Sequence, residues 1–260
     1  MAINKYVSGP FYKDKNSLPG VVFLYYSKQQ SLNCNKKGMQ IKTIELWTNS
    51  LEKAEAFYVH VLQLPVLTKT ADSISFQIGY STLTFTATKG EAGSYHFAIL
   101  IPKNKVAEGY RWLKSRTPVL PFDAEGDLAH FTNWNAQAFY FHDPFQNIIE
   151  LIAHHDLPDV FNEPFSAHAL IGLAEMGLVV PDVTAACKTL HETYGVPYYS
   201  KGPYLADFAV MGEEDGLLIL STAGRGWLPT GQPAQPAPIK MLLQVGATET
   251  RLRLAEAAFQ

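Results

Sequence analysis

Glu150 is the one charge inside the apolar run Ile148–Ile152 (IIELI). A lone carboxylate in such a strand costs free energy when it is buried without a partner. Just before it lies Asp143-Pro144-Phe145-Gln146-Asn147, which is turn chemistry: proline fixes φ, and Asp and Asn bond back to nearby backbone. Phe139, Tyr140 and Phe141 before the turn are aromatic strand formers. The whole stretch Ala138 to His155 therefore reads as strand, tight turn, strand. His96 interrupts a second apolar run, YHFAILI, in the same way. One imidazole and one carboxylate could hold half of a metal site, completed by water or substrate oxygens. The alternative is a buried His–Glu hydrogen-bonded pair that satisfies itself.

These residues sit in a repeating pattern. Ile41 to Thr48 reads as a strand, Ser50 as an N-cap, and Leu51 to Leu62 as a helix with Leu51, Ala54, Tyr58 and Leu62 at helical spacing. Three strands follow, at 66–70, 73–78 and 82–87. A second copy has a strand at Tyr95–Ile101, a helix at Lys103–Ser115, and strands at 119–122, 138–141 and 148–152. A third starts at Leu173, with a helix from Val183 to Tyr194 and strands at 207–211 and 217–221. After the Pro-rich LPTGQPAQPAP, residues 239–245 and 250–254 form either a hairpin around Gly246-Ala247 or a strand and a helix start.

Aligning the copies on their helices places Thr43, His96 and Glu175 in one column of the first strands. Aligning the last strands places Thr84, Glu150 and Ile219 in another. His96 and Glu150 thus occupy the first and last strands of one unit. Glu175 stands in the ligand column of the third unit, but Ile219 faces it where a partner carboxylate would be, so no second metal site is expected there.

Tandem βαβββ units carrying TIELWTNSLEKAEAFYVHVLQL, YHFAILIP and FYFHDPFQNIIELI resemble the vicinal oxygen chelate superfamily of glyoxalase I, bleomycin-resistance proteins and extradiol dioxygenases. The last segment is similar to that family's closing turn-and-strand motif, with Gln146 in place of glycine. The resemblance implies an α+β fold in which two units curl into a cup, with a third, partial unit added. It implies one divalent metal (Zn, Ni, Mn or Fe) held by His96 and Glu150. Thr43 and Thr84 stand where a glyoxalase-like site has its other two ligands, and would contact substrate instead.

Three further features bear on the cup. Glu45 shares the face of Thr43 by period-two alternation, and either points inward as a ligand or general base or faces solvent. The long loop over 123–137 contains His130, Trp134 and Asn135; it either closes the cup, with His130 moving a proton, or is an ordered surface loop. Trp47 and Trp134 are candidate aromatic walls. The segment Gly224–Pro229 (GRGWLP) has no chemical role legible in sequence.

The expected organisation is an N-terminal extension over residues 1–38, disordered and ahead of a native start at Met39, with a surface arm as the alternative. A complete two-unit domain over 39–156, a linker over 157–172 and a third unit with a degenerate remnant over 173–260 follow. A net charge of −3 gives no basic face for nucleic acid. The apolar run Val21–Tyr26 is too short to span a bilayer, and two cysteines are too few for a disulfide framework, which suggests a reducing, cytoplasmic setting. The leading expectation is a metal-dependent lyase, isomerase or ring-cleaving dioxygenase acting on a small oxygen-rich molecule, with sheet edges open to homodimer formation. The alternatives are a metal-free small-molecule binding protein of the bleomycin-resistance type and a degenerate structural module.

Overall fold

The structure is a computed structural model that describes residues 29–30, 38–90 and 92–254. The expected N-terminal extension lies, apart from residues 29, 30 and 38, outside the described residues. β1 (Gln29–Gln30) comes first. Unit one is β2 (Met39–Thr48), α1 (Leu51–Glu55), β3 (Val66–Lys69), β4 (Ser73–Ile78) and β5 (Ser81–Ala87). The Ser50 side chain caps α1 by accepting from the Lys53 N–H, and the helix continues through Ala56–Val61 in π geometry. Unit two is β6 (His96–Leu100), α2 (Val106–Lys114), β7 (Val119–Leu120), β8 (Ala129–Phe131), β9 (Ala136–His142) and β10 (Ile148–His154). Unit three is β11 (Gly172–Val179), α3 (Val183–Tyr194), β12 (Phe208–Glu213) and β13 (Gly216–Ser221). A short ribbon, β14 (Gly226–Trp227) with β15 (Gln232–Pro233), leads to the hairpin β16 (Ile239–Val245) and β17 (Thr248–Leu254). Gly246 turns that hairpin with φ 55°, the region where glycine carries no Cβ penalty.

The fold is α+β and dominated by one sheet. Within each unit the first strand pairs in parallel with the last: β2 with β5, β6 with β10, and β11 with β13. Between units the pairing departs from the expectation that units one and two close a cup. β6 lies antiparallel to β11, so unit two joins unit three. β2 lies antiparallel to β16 over Met39 to Glu45, so unit one joins the C-terminal hairpin. β2 meets β11 only where Ile41 faces Leu173. Copy-to-copy alignment fixes equivalent positions within units but carries no information on which first strands become neighbours.

The turn after β9 ties units one and two together through the core. Asp143 is buried, and its Oδ1 accepts from the backbone N–H groups of Phe145 and Asn147 at 2.9 and 3.0 Å. Its Oδ2 accepts from the Tyr58 hydroxyl and from Asn147 Nδ2, each at 2.8 Å. Asn147 Oδ1 in turn accepts from the Tyr95 N–H at 2.8 Å, which fixes the start of β6. Gln146 takes φ 63°, the left-handed conformation that a glycine would adopt more readily. Cys187 is buried and carries a free thiol. No helix among the described residues is long and apolar enough to cross a membrane.

Removing the Tyr58 hydroxyl takes one donor from a buried carboxylate. Tyr58→Phe is expected to lower stability by about 1–3 kcal/mol in a urea titration; an unchanged midpoint would show that the turn does not depend on this bond.

Candidate metal centre

Strand register brings three ligand-type side chains onto one face. Glu150 in β10 and Glu175 in β11 both stand opposite Ala98 in β6, one on each side of it. His96 lies two residues before Ala98, on the same face by alternation. The small Ala98 side chain leaves the space between them free. One ligand atom from each of His96, Glu150 and Glu175 lies within 4.8 Å of the others, and all three residues are buried.

The imidazole is prepared to act as a ligand. His96 Nδ1 is 3.1 Å from the Ile148 carbonyl oxygen, which can only accept, so Nδ1 carries the proton and Nε2 offers its lone pair. Burial pulls the imidazole pKa down to about 4, which leaves it neutral near pH 7. Nε2 is 3.8 Å from Glu150 Oε2, too far for a hydrogen bond. A self-satisfied His–Glu pair is therefore not what the residues form.

Both carboxyls are short of partners. Glu150 Oε1 and Glu175 Oε1 are buried and accept no hydrogen bond from any described group. Burial pushes the Glu150 pKa well above the usual carboxylate range, the neighbouring Glu175 raises it further, and a hydrogen bond from Tyr140 works the other way. Burial also raises Glu175. Two buried carboxyls beside a neutral histidine lack a positive charge, and a divalent cation is the group that would answer all three at once.

The centre opens on a cavity of about 210 Å³ walled by Phe131, Trp134, Tyr140, Phe208 and Trp227. Trp227 packs on the His96 ring, with centroids 5.2 Å apart. Gly177 makes room for it, because a Cβ there would stand 3.1 Å from the Trp227 ring and 3.1 Å from the His96 carbonyl oxygen. Arg225 also lines the cavity; its guanidinium lies 4.0 Å from the Phe208 centroid, and its Nε is 3.6 Å from Asp207.

The other sequence candidates fall elsewhere. Thr43 and Glu45 line a separate concavity between unit one and the C-terminal hairpin. Glu45 is bound by Lys240 Nζ at 2.6 Å and accepts from the Thr86 hydroxyl at 3.1 Å. Trp47 lies under Lys240, and Thr84 shares a 2.8 Å hydrogen bond with Ser75. In the long loop, Trp134 reaches the cavity and donates to the Gly202 carbonyl oxygen at 3.0 Å. Asn135 turns the chain at φ 49° and donates to Asp156, and His130 is exposed beside Gln137. Glu175, Arg225 and Trp227 are additions that sequence reasoning did not place in the site. Glu175 did carry a signal, a lone carboxylate in the apolar run LAEMGLVV in the column of His96.

The fold is built of βαβββ units, and it gathers one histidine and two carboxyls, His96, Glu150 and Glu175, into a single buried cluster. Residues 40–151 match the profile of the Glyoxalase/Bleomycin resistance protein/Dioxygenase superfamily. A candidate dioxygenase from Bacillus subtilis superposes with a TM-score of 0.53 at 18% identity, over 78% of this chain and 68% of its own. Lactoylglutathione lyase from Agrobacterium tumefaciens aligns at 22% identity and TM-score 0.37, over 44% of this chain and 92% of its own. A fosfomycin resistance protein from Listeria monocytogenes aligns at 18% identity and TM-score 0.35, over 43% of this chain and 90% of its own. Likeness at these identities shows the fold alone. No curated protein matches the chain significantly.

Glu175→Gln keeps the shape of the site and removes one charged ligand. It is expected to weaken Mn²⁺ binding at least about tenfold in a metal titration, as expected for loss of about 1.4 kcal/mol, while Glu45→Gln leaves it unchanged; the reverse order would move the centre to the other concavity.

Proposed function

We propose that this chain is a divalent-metal-dependent enzyme acting on a small oxygen-rich molecule, by lyase, isomerase or ring-cleaving chemistry. The observation that carries this reading is the buried His96–Glu150–Glu175 cluster, whose two carboxyls have an unpartnered oxygen each. These three residues would hold the metal. When bound, it would supply a Lewis acid that polarises a carbonyl or enolate oxygen. Two carboxylates and one imidazole make a donor set richer in oxygen than the two-histidine, one-carboxylate set of non-haem iron oxygenases, and favour a harder ion such as Mn²⁺.

The remaining groups bind, orient and exclude water. Phe131, Trp134, Phe208 and Trp227 offer flat faces for a planar or apolar substrate body. Arg225 gives the cavity its one cation among the described lining residues, and suits an anionic substituent. Tyr140 is the one hydroxyl in that lining; burial raises its pKa well above the usual phenol range, and it holds Glu150 in place by donating a hydrogen bond to that carboxyl. Neither Glu45 nor His130 lines this cavity, so proton movement falls to the Glu150 and Glu175 carboxyls.

The aromatic walls also favour a second reading, a metal-free binding protein that sequesters a flat ligand. The two separate cleanly. Purified protein is expected to hold about one divalent metal per chain by elemental analysis, lost in His96→Ala. Catechol, a probe with adjacent oxygens, is expected to raise the melting temperature of the metal-loaded protein and not of the chelator-stripped protein. Equal shifts with and without metal would favour the sequestering protein.

A further inference from the structure

We propose that the second cup, formed by unit one and the C-terminal hairpin, binds a small organic dianion of the phosphate or phosphonate type. Its concavity of about 530 Å³ is larger than the cavity at the metal centre, and its charge is opposite. Lys240, Arg251 and Arg253 line it against one carboxylate, Glu45. Glu45 is already engaged by Lys240 at 2.6 Å and by the Thr86 hydroxyl. Neither Arg251 nor Arg253 has an ion-pair partner among the described residues, so two guanidinium charges remain unanswered.

Register explains why these groups converge. Arg253 pairs with Lys240, which pairs with Glu45; Arg251 pairs with Leu242, which pairs with Thr43. Paired residues point to the same face, so the two arginines stand two positions apart on one side of β17, about 7 Å along the strand. That spacing lets two planar guanidiniums grip different oxygens of one tetrahedral oxyanion, a geometry arginine suits better than lysine. The adjoining strand is polar on the same face: Thr82, Thr84 and Thr86 of β5 pair with Thr43, Glu45 and Trp47, while Leu83 and Phe85 turn to the core. In the metal cup the corresponding strand, β10, is buried throughout. A concavity lined by three cations against one carboxylate, with the Thr43 hydroxyl beside them, matches a doubly charged oxyanion and repels a cation, so the two cups of one chain would take chemically opposite guests. The proposal does not depend on the metal centre.

The test is calorimetric titration of phenyl phosphate at fixed ionic strength into the full chain. Wild-type protein and His96→Ala are expected to bind alike, and the double variant Arg251→Gln, Arg253→Gln to bind at least about tenfold more weakly, as expected for loss of charge-assisted hydrogen bonds. Circular dichroism checks the fold, and Arg251→Gln alone, at an exposed position, provides the comparison if the double variant unfolds. No binding by the wild type, equal binding by the arginine variants, or loss of binding in His96→Ala would each overturn the proposal.

Discussion

Glu150 and Glu175 are two carboxyls placed on either side of one alanine in the floor of a sheet, away from water, with a neutral histidine and the Tyr140 hydroxyl beside them. Burial favours the protonated form of both carboxyls, and a bound cation would compensate the charges that appear when they ionise. Strand pairing fixes both backbones, so neither carboxyl can withdraw without breaking the β6 ladders. The imidazole is locked with its protonated nitrogen on the Ile148 carbonyl, so it contributes a lone pair and no positive charge. The rest of the centre follows from this constraint: the space left by Ala98, the aromatic lid of Trp227, and the glycine at 177 that admits the lid.

The same constraint explains why the pairing of units matters more than their number. Each βαβββ unit brings a first strand with an open edge, and two such edges close a cup. In this chain the edges of β6 and β11 meet, and that meeting carries Glu175 to His96 and Glu150. The edge of β2 is taken by β16, which produces a second concavity in which cations outnumber the one carboxylate. The two cups share one sheet; one core cluster takes residues from all three units and the C-terminal hairpin, a second lies on the face of the metal cavity, and the Asp143 turn with its Tyr58 bond links units one and two.

The unit architecture was legible because periodicity is local. Alternating strands, the Ser50 cap and the Asp143–Asn147 turn each announce themselves within a few residues. His96 and Glu150 were legible as polar interruptions of apolar strands, and their shared column followed from the repeat. What a sequence does not state is which of several equivalent edges meet, since pairing is decided by contacts far apart along the chain. Glu175 is therefore visible as a candidate with no partner, while Glu45 is visible with two readings open, inward or solvent-facing, and lies in the other concavity. Arg225 and Trp227 were hidden for a related reason: a two-residue ribbon carries too short a pattern to say what it covers. The loop over 123–137 folded as a strand on β9 followed by one tight turn, and of its three candidates only Trp134 reaches the cavity.

The central claim is that the metal lies between units two and three. Crystals grown with Mn²⁺ and measured at the manganese absorption edge locate the ion directly by its anomalous signal. The account predicts a single strong peak in bonding contact with His96 Nε2 and with carboxylate oxygens of Glu150 and Glu175. A peak against Glu45 and Thr43, or no peak between β6, β10 and β11, would contradict it.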